Sequence, residues 1–330
     1  MLTSIGDLAQ SQLLRRQVTS VKTDLDRLAQ EVATGRTADA AARLQGDVST
    51  LGALVTDQAR LAGFATVTTE MNILADTQQR ALGRIDQVAG TASAALLAAT
   101  YGADQALATA GTQSRNALEV ALSSLNLRHA DRSLFAGIAT DGPAMAEPDV
   151  VMAAASRAVA GAGDAAAVLA ALDRWFANPA GFGALYLGDR PAAAVALAPG
   201  EEAALDITAE APAITATLKG LVLGALLAGN ALPAAPGPRA ELARRAGEML
   251  LTGASARADL MGHLGQTQEQ IAQAQARNSA EAAGLDIARN ELLAVDPYEA
   301  ATRLQDVQTR LETLFALTAR LQRLSLAEYL

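Results

Sequence analysis

Residues able to do chemistry are few in this chain, and their spacing is unhelpful to an enzyme. The only histidines are His129 and His263. Neither has a second histidine at helical spacing, so the H-E-x-x-H pattern of a zinc site is absent. His129 lies between Arg128 and Asp131 in a stretch that reads as helix, where a surface histidine is expected. No G-x-S-x-G nucleophile turn and no P-loop occur. "GAGDAA" (161–166) has two glycines but lacks the full G-x-G-x-x-G pattern and a strand before it. Asp141, Asp149, Asp164 and Asp173 are scattered acids that read as loop and cap residues. Trp175 and Phe176, the adjacent aromatics, read as a small core. An enzymatic reading would rest on Asp189 and Arg190 in the middle of the chain, with only the general habit of small α+β units hosting sites behind it. The residues therefore assign no catalytic, cofactor-binding or metal-ligating position, and predict a protein that is not an enzyme and needs no cofactor.

Composition points the same way. The 330 residues are 51% hydrophobic but only 3% aromatic. Alanine and leucine dominate, and both favour helix. The formal net charge is −9, and no basic block is interleaved with aromatics, which argues against a nucleic-acid partner. There is no cysteine, so disulfides and thiolate metal sites are excluded. No apolar run of about 18 residues is present to insert in a membrane. The opening "MLTSIGDLAQSQLLRRQ" lacks the features of a secretory signal, so the sequence by itself points to the cytosol unless export leaves no cleaved signal.

The elements that could position anything are long helices at both ends. Leu14, Val18, Val21, Leu25, Leu28 and Val32 step by 4, 3, 4, 3 and 4, which is a heptad seam. Gly35 of "TGR" suits the left-handed residue that closes such a helix. A second helix is predicted over about 46–100 and a third over 104–134. Pro and Gly punctuate "IATDGPAMAEPD" (138–149) and "LPAAPGPR" (232–239), bounding a middle unit. Within it, residues 193–210 read as a β-hairpin around "PGEE", and Pro212 opens a helix to about Leu227.

The C-terminal third returns to helix. Its seam runs from Leu260 through Leu264, Thr267, Ile271, Ala274, Asn278, Glu281, Leu285, Ala288 and Leu292 to Val295. The polar Asn278 and Glu281 either fix register or mark a solvated stretch. In "VDPYEAA", Asp296 is a candidate N-cap, Pro297 fits the first helical position and Glu299 would complete a capping box. The helix that follows has the seam Leu304, Val307, Leu311, Leu314, Thr318, Leu321 and Ser325, widened by Phe315 and Leu324. Two apolar stripes of similar length at the two ends should pack on each other. Arg15, Arg16, Arg320 and Arg323 flank them as solvated residues or as partners for acidic groups on a neighbouring subunit.

The predicted fold is mainly α: long terminal helices in a coiled coil or helical bundle, with a small α+β domain inserted in the middle. The expected organisation is a terminal coiled-coil core (1–45 with 290–330), a helical rod or bundle (46–139 with 239–289) and an inserted head (140–238).

Local motifs add a resemblance. "LAQEVATGR" (28–36), "RSLFAG" (132–137), "LYLGD" (185–189), "VDPYEAATRLQ" (295–305) and "RLSLAEYL" (323–330) resemble, in that order, segments of the bacterial flagellin family. The nearest likeness is to its hook-associated members that join hook to filament, with filament flagellin as the alternative. Departures are Ser133, where an aromatic residue is common, and "TADAAARLQGD" after the Thr-Gly-Arg turn. The resemblance implies an extracellular structural subunit of the bacterial flagellum, exported by a type III route without a cleaved signal. It implies self-association in a helical ring or tube through Leu14, Val18, Val21, Leu25, Leu28, Val32, Leu304, Val307, Leu311, Leu314, Leu321 and Leu324. It also implies a neighbouring hook-associated protein and flagellin as partners, and an export chaperone on the C-terminal part.

Overall fold

The computed structural model describes residues 5–229, 232 and 235–327. In chain order the elements are α1 (Ile5–Thr34), α2 (Ala40–Arg43), α3 (Ser49–Ala99), α4 (Asp104–Leu125), β1 (Arg128–His129), β2 (Arg132–Ser133), α5 (Pro148–Ala158) and α6 (Ala165–Ala177). They continue with β3 (Val195–Ala198), β4 (Glu201–Ala203), α7 (Pro212–Ala225), α8 (Pro236–Thr252), α9 (Ala254–Leu293) and α10 (Pro297–Ala327). The fold is mainly α, with two small antiparallel hairpins, β1–β2 and β3–β4, in the middle of the chain. The chain divides into two compact units, residues 1–62 with 279–330, and residues 63–278.

In the first unit α1 packs along α10. Both helices end or begin as their residues demand. Gly35 takes φ +68, and its N–H donates to Glu31 O at 2.8 Å, the single bond of a left-handed helix stop. Pro297 opens α10 without needing its missing N–H, and Asp296 Oδ1 accepts from Tyr298 N (2.8 Å) and Glu299 N (3.2 Å). Arg36 and Ala294 pair as an isolated antiparallel bridge. Thr37 N donates to Leu293 O at 2.8 Å and Val295 N to Gly35 O at 3.1 Å, so the end of α1 is stitched to the turn before α10.

The core of the second unit lies where α4 packs on α7 and α7 on α8. Leu118, Leu122, Leu218, Leu221 and Leu250 are all inaccessible there. The helices approach closely because small residues face each other. A Cβ on Gly224 would lie 2.6 Å from Ser114 Oγ, and one on Gly220 would lie 2.8 Å from Leu250. Arg257 is buried in this unit. Its Nε donates to Asp86 Oδ1 at 2.7 Å and one terminal nitrogen donates to Leu250 O at 3.2 Å.

Three local expectations need correction. The third helix stops at Leu125, not Leu134. Asn126 turns the chain by exchanging two hydrogen bonds with the Met145 main chain, Nδ2 to O at 3.0 Å and Met145 N to Oδ1 at 2.8 Å. His129 therefore lies in the β1–β2 hairpin, whose tight turn holds Ala130 and Asp131 at positive φ, and not on a helix. Finally, Glu299 does not reach back to Asp296. Its carboxylate pairs with Arg303 one turn along, so the cap is single-sided.

Candidate assembly surface

The two terminal seams face each other, and the burial along them is graded. On α1, Leu14, Val18, Val21 and Leu25 are half-buried, Leu28 is buried, and Val32 is exposed. On α10, Leu304, Val307, Leu311, Leu314 and Thr318 are half-buried. The side chains of Leu321, Leu324 and Arg323 lie outside the described residues. Lys22 Nζ stands 5.8 Å from the centroid of the Phe315 ring, a cation–π contact across the pair. A stripe of this width cannot be covered by one partner helix, and apolar surface remains. Leu13 is 60% exposed, Phe315 49% and Leu317 47%. Arg15, Arg16 and Arg320 are exposed beside it. Within each helix the charged flanks pair along the surface, Arg27 with Asp24 and Arg303 with Glu299.

Glu31 was not singled out by sequence reasoning, yet it is the buried polar group of this region. Its Oε1 accepts from Ala38 N at 3.1 Å and from the Thr37 hydroxyl at 3.4 Å, with Arg27 at 3.7 Å. It holds the chain after Gly35 against the end of α1. The only local signal was an acid one turn before the "TGR" stop.

In the second unit the structure joins two motifs that the sequence keeps about 50 residues apart. Asp189 N donates to Ala136 O at 3.0 Å and Ile138 N to Arg190 O at 3.0 Å. Gly137 sits at φ +62, and a Cβ there would lie 2.2 Å from Arg190 O. Gly188 is equally constrained, since a Cβ there would lie 2.4 Å from the Tyr186 ring and 2.7 Å from Ala136 O. Tyr186 Oη donates to Asp189 O at 2.8 Å, and Gln78 Nε2 on α3 donates to Leu134 O at 2.6 Å. "LFAG" and "LYLGD" thus form one latch around the buried Phe135. Burial raises the Tyr186 pKa, and a hydrogen bond from Thr208 partly offsets that.

Residues weighed for chemistry have structural partners. Asp164 caps α6 through Ala167 N at 2.7 Å. Asp149 pairs with Arg115, and Asp173 with Lys219. Asp189 Oδ1 accepts from Arg190 N at 2.7 Å, within the latch. Asp141 and His263 are exposed on the surface. Trp175, Phe176 and Phe182 form a ring cluster with centroids 4.3–5.6 Å apart, packed against the core. Among the described residues no three His, Asp or Glu side chains gather as a metal site, and no helix is long and apolar enough to cross a membrane.

Residues 254–330, which hold α9 and α10, match the sequence profile of the bacterial flagellin C-terminal helical region. No curated protein sequence matches the chain. A solved structure described as a flagellar hook-associated protein from Vibrio parahaemolyticus shares the fold. The superposition has a TM-score of 0.52 at 14% identity and covers 73% of this chain and 95% of that one. The resemblance read from the sequence is met at the C-terminal end, where α9 and α10 are similar to the helical region of bacterial flagellins, and in the fold shared with the hook-associated protein.

Proposed function

We propose that this chain is a structural subunit of the bacterial flagellum that acts by self-association and performs no catalysis. The observation that carries the reading is the half-buried α1–α10 seam. Its two helices satisfy each other only in part, and of the apolar residues left over Phe315 and Leu317 lie on α10, inside the matched region, and Leu13 lies on α1. Head-to-tail contacts that do not close generate helical assemblies, and an incompletely covered stripe supplies such a contact. Within the family, the order of the motifs and the closing "SLAEYL" favour the junction between hook and filament. The neighbours would then be another hook-associated protein on one side and flagellin on the other. Export through the flagellar type III channel, with a chaperone covering the C-terminal helix, belongs to the same reading and accounts for the absence of cysteine.

Filament flagellin of the same family is the second reading, favoured by the seam alone, since both uses need it. Immuno-electron microscopy with antibody against residues 140–238 separates the two. A ring of label at the distal end of the hook is the expected result. Label along the whole filament supports the second reading, and label confined to the cytoplasm refutes both.

A further inference from the structure

The β3–β4 hairpin is held by three side chains of a single helix. Its strands pair Val195 with Ala203, Ala196 with Glu202 and Ala198 with Glu201. Leu197 is the extra residue of a bulge and stands outside that ladder. Its side chain is fully buried, and its carbonyl accepts from Asn278 Nδ2 on α9 at 2.8 Å. Gln270 Nε2 donates to Glu202 O at 3.0 Å, and Arg277 pairs with the Glu201 carboxylate. Residues 270, 277 and 278 share one face of α9, two turns apart. Leu197 and Ala203 of the hairpin belong to the same buried core as Ile271 and Ala274 of the helix.

The hairpin is poorly supported by itself, and on the helix side the weak point is Asn278. An isolated two-stranded hairpin this short is at best marginal. Asparagine is a poor helix-interior residue, and its buried amide would be costly without the Leu197 carbonyl. Asn278 is 4% exposed and is the last buried residue of α9 before Leu293.

We infer that the hairpin β3–β4 and residues 270–278 of α9 form a clip that opens and closes as one cooperative piece, with Asn278 as its catch. Closed, the clip holds residues 270–278 of α9 against the hairpin. Opening releases hairpin and helix face together and leaves the α4–α7–α8 core intact. The inference stands apart from the flagellar reading, since it rests on contacts inside the second unit.

Hydrogen exchange of the full chain, read by mass spectrometry, tests it. Gly200 has φ +75 with open space around a Cβ, so Gly200→Ala strains the turn without touching α9. Exchange in both 195–203 and 270–278 should quicken about tenfold, with α4 and α7 unchanged. Asn278→Ala should give the same paired pattern from the helix side. Faster exchange in the hairpin alone after Gly200→Ala overturns the inference. So does no change in either segment, or a uniform rise through the whole second unit. Should Asn278→Ala fail to fold, Gly200→Ala decides by itself.

Discussion

Leu311→Asp separates packing within one chain from packing between chains. Leu311 is half-buried on the α10 seam. Full burial of a leucine is worth about 1.5–3 kcal/mol, so half of it is worth about 1 kcal/mol. Aspartate adds a helix-propensity loss of roughly 0.5 kcal/mol. In the isolated chain the carboxylate can turn to water, so the first unit loses about 1.5 kcal/mol and the second loses nothing. In an assembly that covers the rest of the seam, the same carboxylate would be buried without a cation, at several kcal/mol. At about 1.4 kcal/mol per tenfold, subunit addition should weaken roughly a hundredfold or more. Purified variant and wild type would be compared by sedimentation and negative-stain microscopy, and the corresponding strains by motility. Hydrogen exchange over 63–278 confirms that the second unit is intact. Leu311→Met, which keeps volume and polarity, should assemble. Normal assemblies from Leu311→Asp would refute the role given to the seam, because no half-covered stripe tolerates a charge at its centre once it is covered.

Gly137→Ala should cost roughly 3 kcal/mol or more in urea unfolding of the second unit, since its Cβ would collide with Arg190 O and Asp189 O at an already positive φ. Arg257→Met should destabilise by about 2–3 kcal/mol, below the full value for a broken buried pair because Asp86 remains partly exposed; thermal unfolding measures it. Asp296→Ala should cost about 1 kcal/mol, seen as faster exchange in the first turn of α10. The raised Tyr186 pKa makes a pH prediction. The folded chain holds its phenol proton more tightly than the unfolded chain, so that contribution is fully present below about pH 10 and is lost as pH rises through the folded value. Tyr186→Phe should remove this alkaline sensitivity in urea titrations, and a variant that retained it would show that another group is responsible.

The elements that repeat a short-range rule were legible in the sequence. The α1 seam, the Gly35 stop, the Asp296–Pro297 start and the "PGEE" hairpin each follow from residues within one or two turns of one another, and all are present. The misread elements depend on distant partners. Nothing local ends the third helix before Leu134, whereas in the structure it stops at Leu125 because Asn126 finds its two partners on Met145. "LFAG" and "LYLGD" were visible only as separate motifs, since nothing in either string shows that Gly137 must clear the Arg190 carbonyl.

Asn278 shows most clearly why the seam alone was ambiguous. On the helical repeat it occupies a core position, and a polar residue there reads either as a register device or as a wet stretch. The structure gives it a third role. It is buried, and its amide serves a carbonyl 81 residues earlier that a β-bulge has removed from its own ladder. The break in hydrophobic periodicity thus marks a point where α9 holds a strand, while its contacts with α3 resume beyond it through Asp286 and Arg289 on Gln58. Three positions later Glu281 is exposed, so the solvated reading is right there. Adjacent polar interruptions on one stripe can therefore have opposite causes, and only the presence of an orphaned acceptor within reach separates them. The same reasoning fixes what Asn278→Asp should do. A carboxylate cannot donate to Leu197 O, so it should open the clip at neutral pH and restore part of the hold as protonation returns a donor at low pH.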